Sequence, residues 1–170
     1  MAGEEDAAGR SFSVEDDRHL LASIELSQQA IAHGNFPFGA LLADERGAVV
    51  LEAENTVNSA RDSTGHAEIN LMRAASKLYP LAYLRRCTLY VSAEPCAMCA
   101  GAIYWGNVGR VVFGLGVDGV VDAAAGAHEV PTLAMTCREV FARCGGRVEV
   151  SGPHREAEAR AIHEGFWVAS

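Results

Sequence analysis

The sequence has a single lysine, Lys77, against thirteen scattered arginines with no run longer than Arg85-Arg86, and its net charge is −8. No basic stripe exists to follow a phosphate backbone, which argues against a nucleic-acid partner. No apolar run approaches the roughly 20 residues that a membrane-spanning helix needs, so no membrane role is expected. The start, Met1-Ala2-Gly3-Glu4-Glu5-Asp6, lacks the apolar core of a secretory signal, and a cytoplasmic location is the expectation. Five cysteines are an odd count beside that start, so disulfides are not expected and a metal or redox role is. Cys87, Cys137 and Cys144 have no ligand-like spacing and read as small buried apolar residues. That leaves Cys96 and Cys99.

What is present is ordered chain of about one domain's length. Residues 1–12 read as a disordered acidic tail and 13–170 as a single domain without repeats or linker. Ser13 with Asp16 makes a capping-box start, and Leu20, Leu21, Ile24, Leu26 and Ile31 recur at helical spacing over 14–32. Phe38 to Ala43 and Ala48 to Ala53 flank Asp44-Glu45-Arg46-Gly47 as a hairpin does. Asn55 to Gly65 is a polar loop, and 66–78 is helical before Pro80. Cys87 to Ser92 is a buried strand, 96–105 a short helix of small residues after Pro95, and Arg110 to Leu115 a further strand. A Gly- and Ala-rich stretch over 116–130 reads as loop with a short helical piece. A helix from Pro131 to about Arg143, a strand from Arg147 to Val150 and a helix over 155–168 complete the chain. Strands alternating with helices after an opening hairpin imply an α/β fold, a mixed sheet between helices.

Two short stretches carry chemistry. Thr64-Gly65-His66-Ala67-Glu68 and Glu94-Pro95-Cys96-Ala97-Met98-Cys99 each sit at an expected helix start. The first offers an imidazole and the Glu68 carboxylate, and the second offers two thiols. Three such ligands without an obvious fourth suit a catalytic zinc, whereas a structural zinc closes its tetrahedron with a fourth protein ligand. His66 and Glu68 share no face in mid-helix, so both reach one point only from a first turn, and the same holds for Cys96 and Cys99. Converging helix N-termini favour thiolate over thiol. A lone C-x-x-C also suits a thioredoxin-like redox pair or half of a structural zinc site. The conjunction of H-x-E with a following P-C-x-x-C decides for the signature of zinc-dependent base deaminases.

On these residues the sequence resembles the cytidine/deoxycytidylate deaminase superfamily, in the branch holding guanine deaminases and tRNA adenosine deaminases. Phe36-Pro37-Phe38-Gly39-Ala40, Glu54-Asn55, Gly65-His66-Ala67-Glu68-Ile69 and Leu89 through Ile103 carry the likeness, which spans roughly residues 20–115. The resemblance implies a three-layer α/β/α cytidine-deaminase-like fold with a five-stranded mixed sheet. It also implies Zn2+ held by His66, Cys96 and Cys99, with Glu68 moving protons between water, a ring nitrogen and the leaving amine. Hydrolytic deamination of a small-molecule nucleobase follows, and a homodimer is expected.

For the base itself, Asn55 matches the family asparagine that hydrogen-bonds the ring, although a turn-forming asparagine would also stand there. The backbone of Ala67 is expected to face the substrate. Phe38 reads either as a stacking partner or as a core strand residue. Ile103-Tyr104-Trp105 looks like the guanine-deaminase version of this helix end, which would put Trp105 in the pocket. Guanine deaminases use an acid from the C-terminal part, for which Glu129 is the candidate, with Asp122 behind it. Gly165-Phe166-Trp167 reads as a pocket cover or an aromatic anchor. Guanine is the favoured base. A tRNA adenosine deaminase, another ring or nucleoside, and a non-catalytic zinc-binding partner subunit are the alternatives.

Overall fold

The computed structural model describes residues 11–125 and 133–167. Its framework is a five-stranded sheet in the order β2-β1-β3-β4-β5. The strands are β1 (Gly39–Ala43), β2 (Val49–Glu54), β3 (Thr88–Ala93), β4 (Arg110–Leu115) and β5 (Glu149–Ser151). β1 runs antiparallel to β2 and β3, whereas β3–β4 and β4–β5 are parallel, so the sheet is mixed. Around it lie α1 (Val14–Ala32), α2 (Val57–Ala60), α3 (Ala67–Leu78), α4 (Leu81–Leu84), α5 (Ala97–Trp105), α6 (Val117–Ala123), α7 (Cys137–Ala142) and α8 (Glu156–His163).

Strand alternation sorts the core into two sides. Ala40, Leu42, Leu89, Val91, Val111 and Phe113 pack against α3, α5 and α7 through Leu71, Ile103 and Phe141. Leu41, Tyr90 and Val112 point the other way and meet Leu20 and Ile24 of α1 and Ala159 of α8. Helices therefore cover both faces of the sheet, giving the α/β three-layer arrangement expected. The α1 layer comes unusually close at Gly39, where a Cβ would lie 2.4 Å from the Ser23 carbonyl oxygen. Only glycine allows that approach.

The capping box at Ser13 and Asp16 is present, with the Asp16 N–H on the Ser13 hydroxyl and the Ser13 N–H on the Asp16 carboxylate. The hairpin holds its four-residue turn, and Gly47 takes the left-handed conformation there at φ 79. Departures from the sequence reading have local causes: the helices expected over 131–143 and 155–168 shorten to Cys137–Ala142, opened by the Thr136 capping box, and Glu156–His163. The Asn55–Gly65 loop contains one turn of helix, α2, and another turn, α4, follows Pro80. Single turns carry too little periodicity to register in a sequence. Cys87 and Cys137 are buried, but Cys144 is half-exposed in the turn before β5. Pro131 and the rest of 126–132 lie outside the described residues, as do residues 1–10 of the expected tail. Phe12 stacks on His154 at 3.9 Å. No helix among the described residues is long and apolar enough to cross a membrane.

At the edge of the sheet where β3 and β4 begin, Asp16 joins α1 to the strands. It accepts hydrogen bonds from Arg110 and from the Tyr90 hydroxyl, the latter at 2.7 Å, and Arg110 also pairs with Glu149 at 2.9 Å. Burial alone would push the Asp16 carboxyl up. The hydrogen bonds from Arg110, Ser13 and Tyr90 outweigh that and take it from 3.8 to about 2. A depressed carboxyl stabilises the fold fully above its unfolded pKa, and that contribution is lost as pH falls through the folded value. Asp16→Asn is thus expected to lower unfolding free energy by about 3 kcal/mol at neutral pH, the low end for breaking a buried pair, because Glu149 remains on Arg110. In urea titrations at fixed pH, the gap to wild type should close between about pH 4 and 2. A gap that widened in acid would contradict this account.

Candidate metal centre and pocket

Both motif stretches follow strands or loops at the same end of the sheet. β3 ends at Ala93 and runs through Glu94 and Pro95 into Cys96, the N-cap of α5; His66 is the N-cap of α3. Both caps are extended, at φ −66 and ψ 150 for His66 and φ −67 and ψ 172 for Cys96, and neither side chain caps its own helix. Each side chain is therefore free to reach past the helix end toward the other. In open α/β sheets this carboxyl end of parallel strands is where ligands bind.

The Sγ atoms of Cys96 and Cys99 lie 3.6 Å apart, and the His66 Nδ1 is 3.8 Å from Cys96 Sγ and 3.5 Å from Cys99 Sγ. Zinc–sulfur bonds of about 2.3 Å and zinc–nitrogen bonds of about 2.0–2.1 Å at tetrahedral angles give ligand separations of roughly 3.5–3.8 Å. The donor set fits zinc in both chemistry and spacing. It is the sole group of three or more potential metal-holding side chains among the described residues. Cys96 is held at about 4, first by its hydrogen bond with Cys99 and then by His66, while Cys99 is pushed well above the thiol range by that same bond and by burial. His66 is raised, chiefly by its hydrogen bond with Cys96.

Glu68, in the first turn of α3, is only 6% exposed. Burial pushes its carboxyl up to about 7, against the opposing pull of a backbone hydrogen bond and of His66. A carboxyl in that range both takes and gives a proton near neutrality.

Above these groups opens a cavity of about 490 Å³, lined by Phe36, Phe38, Asn55, Glu68, Val117 and Trp167 among others. Asn55 is buried, and its side-chain oxygen accepts from the Val57 N–H at 3.0 Å. The turn-forming reading of this residue holds, and Asn55 also lines the cavity, where its amide N–H groups remain. Phe38 lines the cavity and packs edge-on against His163 at 5.3 Å; it is half-buried just ahead of β1 rather than a core strand residue. Ala67 is fully buried as the first residue of α3, between His66 and Glu68.

Trp105 does not line this cavity. It ends α5 79% exposed, edge-on to Tyr104, because the turn of helix between it and Cys99 carries it away from the site. Asp122 is exposed on α6 and outside the lining, and Glu129 lies outside the described residues. The pocket's indole is Trp167, buried, stacked on Phe36 at 5.5 Å, with its N–H donated to His163 at 3.3 Å. Burial pushes His163 down to about 4, which keeps that ring a neutral acceptor.

Sequence reasoning missed Asn70. Its amide donates to the Glu54 carbonyl at 3.0 Å and the Thr56 hydroxyl at 2.9 Å, pinning the start of the Asn55–Gly65 loop to α3. The available signal was a lone amide one turn after His66 on an otherwise core-facing helix.

The family model described as "Cytidine and deoxycytidylate deaminase zinc-binding region" matches residues 13–115. A Schizosaccharomyces pombe protein described as a probable cytosine deaminase is 38% identical over 156 residues, covering 92% of this chain and 94% of the relative. A solved structure of guanine deaminase from Nitrosomonas europaea superposes with a TM-score of 0.69 at 26% identity, over 93% of this chain and 86% of that one. A mutant protein crystallised in complex with 8-azaguanine gives a TM-score of 0.75 at 28% identity, over 95% and 88%.

If these three side chains form the metal centre, Cys96→Ala and Cys99→Ala should each retain less than about a tenth of the zinc that wild type carries, by elemental analysis after dialysis. Full retention in either variant would remove that residue from the ligand set.

Proposed function

The chain belongs to the cytidine and deoxycytidylate deaminase family, and we propose that residues 13–170 act as a hydrolytic deaminase of a free aminated nucleobase, guanine first. The observation that carries this reading is a buried carboxyl, Glu68, beside three donors spaced for zinc at the floor of an aromatic-walled cavity. In this reading His66, Cys96 and Cys99 hold the metal. Bound there, zinc lowers the pKa of a coordinated water toward about 7 and so supplies a nucleophile at neutral pH.

The protein's own groups do the rest. Phe38 and Trp167 hold the faces of a planar ring, and Asn55 offers its amide to the ring edge. Glu68 takes a proton from the attacking water and delivers it to the ring nitrogen beside the reacting carbon. It then carries the second proton to the departing amine, so that guanine and water become xanthine and ammonia. The apolar wall of Val117, Val120 and Val121 keeps bulk water from competing and suits a bicyclic base. None of the described lining residues is Lys or Arg, which supports a free base over a polynucleotide. Cytosine is the second reading, favoured by the near full-length likeness to the fission-yeast protein.

Glu68→Gln is expected to keep its zinc and lose about 10²–10⁴ in kcat, measured as ammonia release. A zinc-loaded Glu68→Gln enzyme turning over at the wild-type rate would exclude this role. The order of kcat/KM for guanine and cytosine decides between the two bases.

We propose further that the enzyme is a cytoplasmic homodimer. Zinc held by two thiolates suits a reducing compartment, where thiols are kept from pairing. The surface of α5 supports the dimer. Met98 and Trp105 stand exposed seven residues apart on a helix without a charged side chain, with open space over Gly101 between them. Trp105→Glu should shift micromolar protein from dimer to monomer in sedimentation velocity. An unshifted dimer would place the interface elsewhere.

A further inference from the structure

Glu94 has no task in the proton chemistry or in the donor set, yet its carboxylate is fully engaged. It stands two residues before Cys96, and its N–H donates to the carbonyl of Leu115, the last residue of β4, at 2.8 Å. One carboxylate oxygen accepts the N–H of Val117 at 3.1 Å, and the other accepts that of Cys137 at 2.9 Å. Val117 opens α6 and Cys137 opens α7. Neither N–H has an intrahelical acceptor at those positions, so each would otherwise lack a partner. A solvated loop acid would leave its oxygens to water. This one ties together segments 23 and 43 residues further along the chain.

The segments it ties matter to the cavity. Val117, Val120, Val121 and Ala124 form the wall facing the Cys96 turn, and Leu133 precedes α7. α6 is short, and α7 has a capping box of its own from Thr136 and Glu139. Glu94 is the side chain that joins both helix starts to the turn bearing Cys96. It lines the cavity as well, but its two oxygens are directed at backbone N–H groups.

We propose that Glu94 is a positioning residue that fixes the α6 wall against the Cys96 turn and so sets how tightly the base is held. This deepens, and rests on, the deaminase reading above. A carboxylate is needed because each oxygen must accept. Glutamine offers one acceptor and turns an N–H₂ toward the second N–H, which leaves one clamp bond broken. Alanine breaks both.

The test compares full-length, zinc-loaded wild type with Glu94→Gln and Glu94→Ala by two independent readouts. Residue-resolved hydrogen exchange should show protection at Val117 and Cys137 falling by about tenfold or more in Glu94→Ala, with the amides of β1, β3 and β4 unchanged. On the base that wild type deaminates, KM should rise by about tenfold in Glu94→Ala and less in Glu94→Gln, while kcat stays within about threefold. Should Glu94→Ala fail to fold, the glutamine variant carries both readouts. A fall in kcat at constant KM would overturn the proposal by putting Glu94 on the reacting atoms. Loss of zinc from both variants would overturn it too, by making Glu94 a support of the metal turn. Unchanged protection at both amides would remove the clamp. If wild type deaminates no base, the deaminase reading fails alone, and exchange at Val117 and Cys137 still decides the clamp.

Discussion

Zinc in a tetrahedral site tolerates little error in the spacing of its donors, and the rest of this fold is arranged around meeting that demand. Three donor atoms separated by 3.5–3.8 Å come from two elements far apart in the chain. Two helices that begin at the same end of one sheet satisfy the demand, provided that each begins with a ligand in extended conformation. His66 and Cys96 both do so. The helices are held to one side of the sheet by Ala67, Leu71, Ala100 and Ile103, all buried against β1, β3 and β4. A slip of α3 or α5 by one residue would turn those apolar contacts outward and open the donor triangle together. Packing and chemistry are thus fixed by the same register.

Charge is divided between the two ends of the sheet. At one end a buried arginine pairs with two carboxylates and locks α1 to the strands. At the other, burial raises the Glu68 carboxyl while His66 beside it pulls the other way. The two acids are equally hidden from solvent, but Asp16 is kept charged by its partners while Glu68 is poised near neutrality. A carboxylate held by strong donors stabilises the fold, whereas a carboxyl raised by burial can exchange its proton near neutral pH.

The parts legible in the sequence were those governed by local rules. The α1 capping box, the hairpin turn and the apolar buried strands depend on neighbours within a few residues, and they fold as their residues indicate. The donor set was legible because H-x-E and P-C-x-x-C each place their ligands in a single first turn. The pocket wall was not. Trp105 and Trp167 are both tryptophans at an element's end, and nothing local separates them. Trp167 enters the cavity because α8 packs across α1 and delivers it to Phe36, a contact spanning nearly the whole chain. The roles of Glu94 and Asn70 escaped notice because their partners lie outside their own elements, 14 to 43 residues along the chain.

The most direct measurement of the central claim is the fate of solvent oxygen. Zinc-loaded enzyme is given guanine in ¹⁸O-labelled water, with cytosine in parallel, and product and ammonia are quantified by mass spectrometry. The account predicts one ammonia per base consumed and one ¹⁸O at the carbon that lost its amine, with neither seen for Glu68→Gln. Intact base in both reactions, or product without solvent oxygen, would contradict it.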